Sequence, residues 1–234
     1  MKWWQRSFVG VLVIVMLGFG QATAEVAPKL VARFEKASAV LREVMSAPDR
    51  RIPQDLLDRA YAVAVFPGVV KGAFFFGGRG GKGIMSVRRE SDRRWSAPAF
   101  FTMGGASFGL QIGAQVTDFV LLVMTWQGVD SLLRSKVTLG GDLSVAAGPV
   151  GRRGEVGIDV RLQAAILSYS RTKGLFGGVS LEGTTIFADG GANRQLYGSD
   201  HTAREILLGG RLAAPDEAKT FLTTLSTYAP APKP

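Results

Sequence analysis

The feature that most constrains the fold is a glycine-rich, valine-rich stretch that runs from residue 61 to about residue 187. Short apolar runs alternate there with turn signals such as ESD at 90–92 and GPVG at 148–151. Long helical periodicity is absent from this stretch, which predicts antiparallel strand pairing rather than alternating strands and helices. The predicted strands are residues 61–66, 69–76, 83–89, 99–112, 119–125, 136–147, 155–170 and 175–187.

Helical patterns flank this region on both sides. An apolar stripe at helical spacing runs through residues 28–45 and includes Leu30, Phe34 and Leu41. Such a stripe favours packing on the protein's own core over lying free on a membrane surface. Shorter helical segments are predicted at 54–60, 200–208 and 215–225, before a disordered tail at 229–234, and one or two helical turns are predicted within the stretch at 128–135. The predicted fold class is α+β in a single domain over 25–228: N-terminal helices, a large glycine-rich and mainly antiparallel sheet or barrel, and C-terminal helices.

The first 24 residues have the pattern of a secretory signal peptide. Lys2 and Arg6 precede an apolar run at 8–19, and small residues follow at 22–24 (ATA). We expect cleavage before Glu25 and export to the periplasm or the extracellular space, with the protein peripheral on a membrane if it binds one. The alternative is an uncleaved anchor, but the run is short for a bilayer span, which needs about 20 apolar residues.

Composition narrows the classes of partner and chemistry. The formal net charge is +9, and residues 1–24 contain two cations and no acid, so 9 − 2 leaves +7 for the remainder. A basic exported protein fits an anionic partner such as phospholipid, and we expect no nucleic acid; the alternative is that the charge only aids solubility. The chain has no cysteine and one histidine. We therefore expect no disulfide, no thiolate nucleophile, no metal site and no cofactor.

Two motifs match enzyme patterns without the required context. The run GRGGKG at 78–83 fits G-x-G-x-x-G, but a strand-like run follows it rather than a helix, so we interpret it as a flexible hairpin with two cations. The run GASFG at 105–109 fits a nucleophile elbow, which leaves a serine hydrolase using Ser107 and His201 as a remote alternative. Strand-like residues also follow this motif, so the prediction is that the protein is not an enzyme.

The stretch SRTKGLFGGVSLEG at 170–183 reads as a β-hairpin. Its loop is placed at 171–174, and Gly174 is expected to supply a positive φ. The paired glycines at 177 and 178 predict a bend or the close approach of another backbone. Leu175 and Phe176 adjoin two cations, a combination that suits an anionic membrane surface. The alternative is an ordinary charged hairpin turn.

These observations give a set of candidate binding residues, although sequence alone does not show that they converge. Leu175 and Phe176 are the predicted membrane contacts. The predicted headgroup-binding residues are Lys71, Arg79, Lys82, Arg88, Arg89, Arg171 and Lys173.

Several segments together resemble the SYLF domain family, which includes bacterial exported proteins and eukaryotic phosphoinositide- and actin-binding adaptors. The resemblance covers about residues 30 to 210. The segments that carry it are 62–71 (AVAVFPGVVK), 80–89 (GGKGIMSVRR), 95–115, 117–139, 146–151 (AAGPVG), 170–183 and 197–209.

The resemblance implies a non-enzymatic lipid-binding module, with residues 30–44 matching the amphipathic helix that assists binding in eukaryotic members. It also implies actin binding, as in some fungal relatives. Because the chain is expected to be exported, we expect anionic envelope phospholipid as the partner and regard actin as a doubtful one. The alternative is an envelope scaffold that binds another protein.

Overall fold

The computed structural model describes residues 28–46, 51–73, 77–107, 113–134, 136–151, 164–198 and 201–231. The helices in this part are α1 (Pro28–Ser46), α2 (Gln54–Arg59), α3 (Trp126–Leu132), α4 (Gly190–Tyr197), α5 (Ala203–Leu208) and α6 (Lys219–Tyr228), the last preceded by a 3-10 turn at Asp216–Ala218. The strands are β1 (Ala62–Ala73), β2 (Gly77–Val87), β3 (Ala99–Ser107), β4 (Gly113–Val123), β5 (Val137–Thr138), β6 (Val145–Ala147), β7 (Ile166–Thr172), β8 (Leu175–Gly178) and β9 (Thr185–Ala188).

The strands form one sheet in the order β5-β9-β3-β2-β1-β4-β7-β6, with β8 paired to β7. The β6–β7 pair is parallel, and every other strand pair described is antiparallel. Helices precede the sheet and follow it. The predicted α+β class with a mainly antiparallel sheet is confirmed.

Each face of the sheet carries its own apolar core. On one face, α1 and α6 bury Phe34, Leu41 and Phe221 against side chains such as Val63 and Val120. On the other face, α3 and α5 pack against the alternate residues of the same strands. Because successive side chains of a strand point to opposite faces, a sheet covered on both sides needs continuous apolar runs such as FVLLV at 119–123. The stripe at 28–45 therefore packs on its own domain, as predicted.

The glycine-rich run at 78–83 is part of strand β2 and not a flexible hairpin, so that interpretation is wrong. Two of its glycines are needed because neighbouring side chains fill the space above them. A Cβ at Gly83 would collide with the Phe66 ring, and a Cβ at Gly81 would collide with Val69. Both bulky residues come from β1, which continues through a bulge at Pro67–Gly68 where the sequence predicted its end.

The predicted hairpin at 170–183 is present. Lys173 and Gly174 form its two-residue turn with φ values of 48° and 79°, so Gly174 has the expected positive φ. This turn places Arg171 and Thr172 inside β7 rather than in the loop. Gly178 lies against the backbone of Gly148, which confirms the predicted close approach.

The C-terminal part differs from prediction at two points. Helix α4 was not predicted, because its sequence GGANRQLY begins with two glycines and is stabilised by Asp189, whose side chain caps its first turn. Ala229 is fully buried and Pro230 is hydrogen-bonded to the core, so the fold extends two residues into the predicted tail. The predicted strand ends at 74–76 and 108–112 and the segment 155–163 lie outside the described residues.

Candidate functional site

One end of the sheet brings together several of the predicted residues. We call it the open end and define it by the residues beyond the β1 bulge and their neighbours on β2, β4 and β7–β8: Val69 to Lys71, Arg79, Gln115 to Thr117, and Thr172 to Leu175. Strand register places these residues side by side, because Val70 pairs with Val116 and Lys71 pairs with both Arg79 and Gln115. Leu175 pairs with Thr172 at the same level.

A cleft of about 260 Å³ opens on one face of this end. Lys71 and Arg79 enter it from neighbouring strands, and neither forms an ion pair with a described residue. The Arg79 Nε is buried and has no hydrogen-bond partner among the described atoms. Burial lowers the pKa of Arg79, since desolvation disfavours the charged guanidinium.

Hydroxyl groups complete the polar lining of the cleft. The side chains of Thr117 and Thr172 are hydrogen-bonded to each other at 2.9 Å. Ser170, Ser180 and the Gln115 amide also line the cleft, together with the apolar Val69, Phe119 and Val179. All of the described lining residues are cationic, neutral polar or apolar, so the cleft contains hydrogen-bond donors and no described carboxylate.

The opposite face of the open end is apolar. Val70 and Val116 lie next to each other there with 49% and 58% of their surface exposed. A Cβ at Gly72, Gly80 or Gly104 would meet no atom, so this part of the face is uncovered by the described residues. These valines were not among the predicted membrane contacts, because an apolar residue in a strand is normally buried. Only the strand register shows that they are exposed together.

Two of the predicted cations lie on this second face but are held by acidic partners. Arg171 donates to Asp118 at 2.9 and 3.1 Å and to Glu43 of α1. Lys82 contacts Asp189 at 3.1 Å and the Thr102 hydroxyl at 2.9 Å. These contacts attach α1 and α4 to the sheet, so both cations are already paired with carboxylates of the protein.

Arg88 and Arg89 lie at the other end of β2. Arg88 is 1% exposed, and its guanidinium donates to four backbone carbonyls and stacks over Trp95 at 4.3 Å. Arg89 pairs with Asp92 in the turn that follows β2. The seven predicted cations therefore do not form one face: Lys71 and Arg79 share the cleft, and Lys173 adjoins it at the hairpin turn.

The two predicted membrane contacts differ in exposure. Leu175 is 69% exposed. Phe176 is partly buried and stacks on the Tyr169 ring with centroids 5.6 Å apart. Leu175 thus remains a surface residue of the open end, whereas Phe176 belongs to the core beneath α1.

The described residues do not bring the hydrolase pair together. Ser107 ends β3 and pairs with Gly77 of an antiparallel neighbour, unlike the strand–turn–helix of a nucleophile elbow. His201 lies just before α5, whose Leu207 and Leu208 lie beside Arg88 and Arg89, at the end of the sheet where β3 begins. The nine residues of β3 span roughly 26 Å at the usual rise of a strand, so the two residues lie far apart.

No helix among the described residues combines the length and the apolar character needed to cross a membrane. The same part of the chain contains no group of three histidine or acidic side chains placed to hold a metal ion.

Comparison with known proteins relates this chain to one protein family. Residues 104–228 match the Ysc84 family model, described as "Las17-binding protein actin regulator". LAS seventeen-binding protein 3 of Saccharomyces cerevisiae is 38% identical over 206 residues, which are 87% of this chain and 43% of that protein. SH3 domain-containing YSC84-like protein 1 of Homo sapiens is 36% identical over 200 residues, which are 83% of this chain and 58% of that protein.

These matches correct the expectation about actin and show how much of each relative the chain covers. The expectation that actin is a doubtful partner is wrong, because the matching family is described as an actin regulator. The chain spans about half the length of the curated relatives it matches. The predicted resemblance is confirmed, and the chain belongs to the Ysc84 family of SYLF-domain proteins.

Proposed function

We propose that this chain is a non-enzymatic binding module that contacts anionic phospholipid membranes through the open end of its sheet. One observation carries the proposal. Of the four large apolar side chains that are exposed among the described residues, Val70, Val116 and Leu175 lie at this end. Three cations that have no ion pair with a described residue lie at the same end, namely Lys71, Arg79 and Lys173; the first two are on the face opposite the two valines.

The energetics of membrane contact favour this arrangement. A cation near an anionic bilayer contributes about 1 kcal/mol, and exposed apolar side chains gain about 25 cal/mol for each Å² removed from water. Binding at a membrane surface strengthens with the apolar area that is buried and with the electrostatic attraction to anionic lipids. The open end supplies both kinds of group, because cations and exposed apolar side chains occupy adjacent positions on its paired strands.

Liposome flotation tests the proposal with vesicles of pure phosphatidylcholine and vesicles that contain phosphatidylglycerol. We expect flotation with the anionic vesicles only. Lys71→Glu combined with Lys173→Glu should reduce binding by about tenfold or more, since two favourable charges become repulsive. Leu175→Asp should reduce it as well.

Arg94→Glu is the matched control, because Arg94 is an exposed cation in the turn at the other end of β2. It should bind nearly as well as the wild type. Equal binding to neutral and anionic vesicles, or equal losses in the control and the open-end variants, would refute the proposal.

A second candidate function is binding of actin or of a Las17-like protein. The names of the yeast relatives and of the family support it. Co-sedimentation of the purified chain with actin filaments tests this candidate, and a protein that stays in the supernatant at micromolar filament concentration argues against it. An envelope protein partner remains the alternative if the chain is exported.

We also propose that the chain is exported. The support is the pattern of residues 1–24, where two cations, an apolar run and small residues follow one another. N-terminal sequencing of the protein purified from its native cells should begin at Glu25. A protein that retains Met1 would contradict export by cleavage.

A further inference from the structure

We propose that the cleft between Lys71 and Arg79 is a binding site for a single phosphate group, presented by a phosphate monoester. The inference deepens the proposed function and rests on it for the membrane source of the ligand. The cleft itself is observed in the described residues and does not depend on membrane binding.

The charge arrangement is unfavourable without an anion. Lys71 and Arg79 are directly opposite each other on antiparallel strands, so their Cβ atoms are about 5 Å apart, a distance at which like charges destabilise a sheet. Elsewhere in the described structure, strand cations such as Arg171 and Lys82 are paired with carboxylates. The cleft instead concentrates two positive charges with no described carboxylate among its lining residues.

The hydrogen-bond arrangement supplies donors that lack an acceptor. Arg79 contributes a buried Nε with no partner among the described atoms. A buried donor of this kind costs free energy until an acceptor reaches it. The lining hydroxyls of Ser170 and Ser180 and the Gln115 amide add further donors around the same space. A phosphate group offers several acceptor oxygens and binds guanidinium through more than one hydrogen bond.

The shape favours a small headgroup over a large ligand. The cleft volume of about 260 Å³ is below the range typical of sites for drug-sized molecules, and it is open to solvent on one side. Val69, Phe119 and Val179 form its apolar wall, so a bound phosphate would be partly shielded from water. Partial shielding strengthens charge-assisted hydrogen bonds relative to those on an open surface.

The test uses glycerol phosphate as the soluble probe, at constant ionic strength, with sodium chloride as the reference salt. Calorimetric titration should show saturable binding, and glycerol phosphate should raise the melting temperature of the wild type. Arg79→Gln and Lys71→Gln should each weaken binding by about tenfold or more, because each loses a charge-assisted interaction. Without ligand at low salt, both variants should melt at or above the wild-type temperature, since the like-charge contact is removed.

Lys173→Gln is the control that separates a defined site from diffuse attraction. Lys173 is exposed and adjoins the cleft without lining it. It should bind glycerol phosphate as the wild type does, although its affinity for anionic vesicles should fall. The absence of saturable binding, or equal affinity in Arg79→Gln and the wild type, would overturn the proposal.

Two vesicle arms identify the source of the phosphate. Phosphatidic acid and phosphatidylserine vesicles are compared at equal surface charge, since the first presents a phosphate monoester. If the protein prefers phosphatidic acid vesicles and glycerol phosphate displaces it from them, the ligand is a lipid headgroup. If the protein binds glycerol phosphate but shows no preference for phosphatidic acid, the ligand is a free phosphate ester. Vesicle binding that persists without any glycerol phosphate binding would defeat the phosphate site and leave the membrane function standing. Binding of glycerol phosphate without binding to any vesicle would refute the membrane function and leave the phosphate site standing.

Discussion

At the scale of single residues, the partners of each cation decide what it can do. Arg88 was predicted to bind headgroups, yet its guanidinium donates hydrogen bonds to the carbonyls of Leu57, Ala229 and Pro230 at 3.0 to 3.3 Å. Burial, followed by the nearby charge of Arg93, lowers the pKa of Arg88 to about 10. Arg88 thus anchors the C-terminal residues to the end of β2.

Replacing Arg88 should therefore destabilise the fold. Arg88→Met leaves buried carbonyls without donors, and we expect the free energy of unfolding to fall by about 2–4 kcal/mol. Urea denaturation measures this loss. Arg89→Met is the neighbouring control and should change stability little, because Arg89 forms only an exposed ion pair with Asp92. Equal stabilities of the two variants would contradict the anchoring role.

Asp189 gives a pH-dependent prediction. Burial would raise its pKa, but hydrogen bonds from Lys82 and Arg33 outweigh that effect and lower the pKa below its ordinary value. A lowered carboxyl pKa adds stability that is fully present above about pH 4, the unfolded value, and is lost as the pH falls through the folded value.

Asp189→Asn should accordingly cost about 1 kcal/mol at pH 7, a figure reduced for partial solvent exposure. The difference from the wild type should be smaller at pH 3 than at pH 7, because the charge-dependent part of the stability is progressively lost below about pH 4. The urea unfolding midpoints of the variant and the wild type at pH 7 and pH 3 measure this difference. A difference that is the same at both values would show that the charge of Asp189 is not responsible.

At the scale of elements, strand β2 shows why glycine density indicated the wrong local structure. The same residue type serves two purposes on the two faces of this strand: Gly83 lies under Phe66, whereas Gly80 faces open space. Sequence alone could not separate these roles, because they depend on which β1 side chains lie opposite.

The two glycines form a matched pair of substitutions. Gly83→Ala should lower the free energy of unfolding by about 1–3 kcal/mol, since the new methyl group collides with the Phe66 ring and the Val65 carbonyl. Gly80→Ala should be neutral or should stabilise the protein by up to about 1 kcal/mol, because it restricts the unfolded chain without a clash. Thermal or urea unfolding tests both, and a larger loss at Gly80 would contradict the described register.

Prediction from sequence succeeded where the signal is local. The turn at Lys173–Gly174, the helical stripe of α1 and the alternation of strands and turns all depend on residues close in sequence. The binding residues were predicted less well, because availability depends on distant partners: Asp118 is 53 residues and Glu43 is 128 residues from Arg171. Val70 and Val116 were not predicted as surface residues, because their exposure depends on which distant segments cover the sheet.

At the scale of the whole molecule, the domain has a well-covered end and an open end. Helices and the C-terminal residues enclose the sheet around Arg88 and Trp95, where buried hydrogen bonds are concentrated. The other end presents exposed valines, an exposed leucine and the two cations of the cleft. This polarity is the basis for proposing that the open end meets the ligand while the covered end maintains the fold.

The measurement that tests this account most directly is the environment of a label at Leu175. The chain contains no cysteine, so Leu175→Cys carries an environment-sensitive fluorophore at one site, and Arg94→Cys carries it at the opposite end. We expect a blue shift of the Leu175 label with phosphatidylglycerol vesicles, no shift with phosphatidylcholine vesicles, and little change for the Arg94 label. A shift at Arg94 with none at Leu175, or equal shifts with both kinds of vesicle, would contradict it.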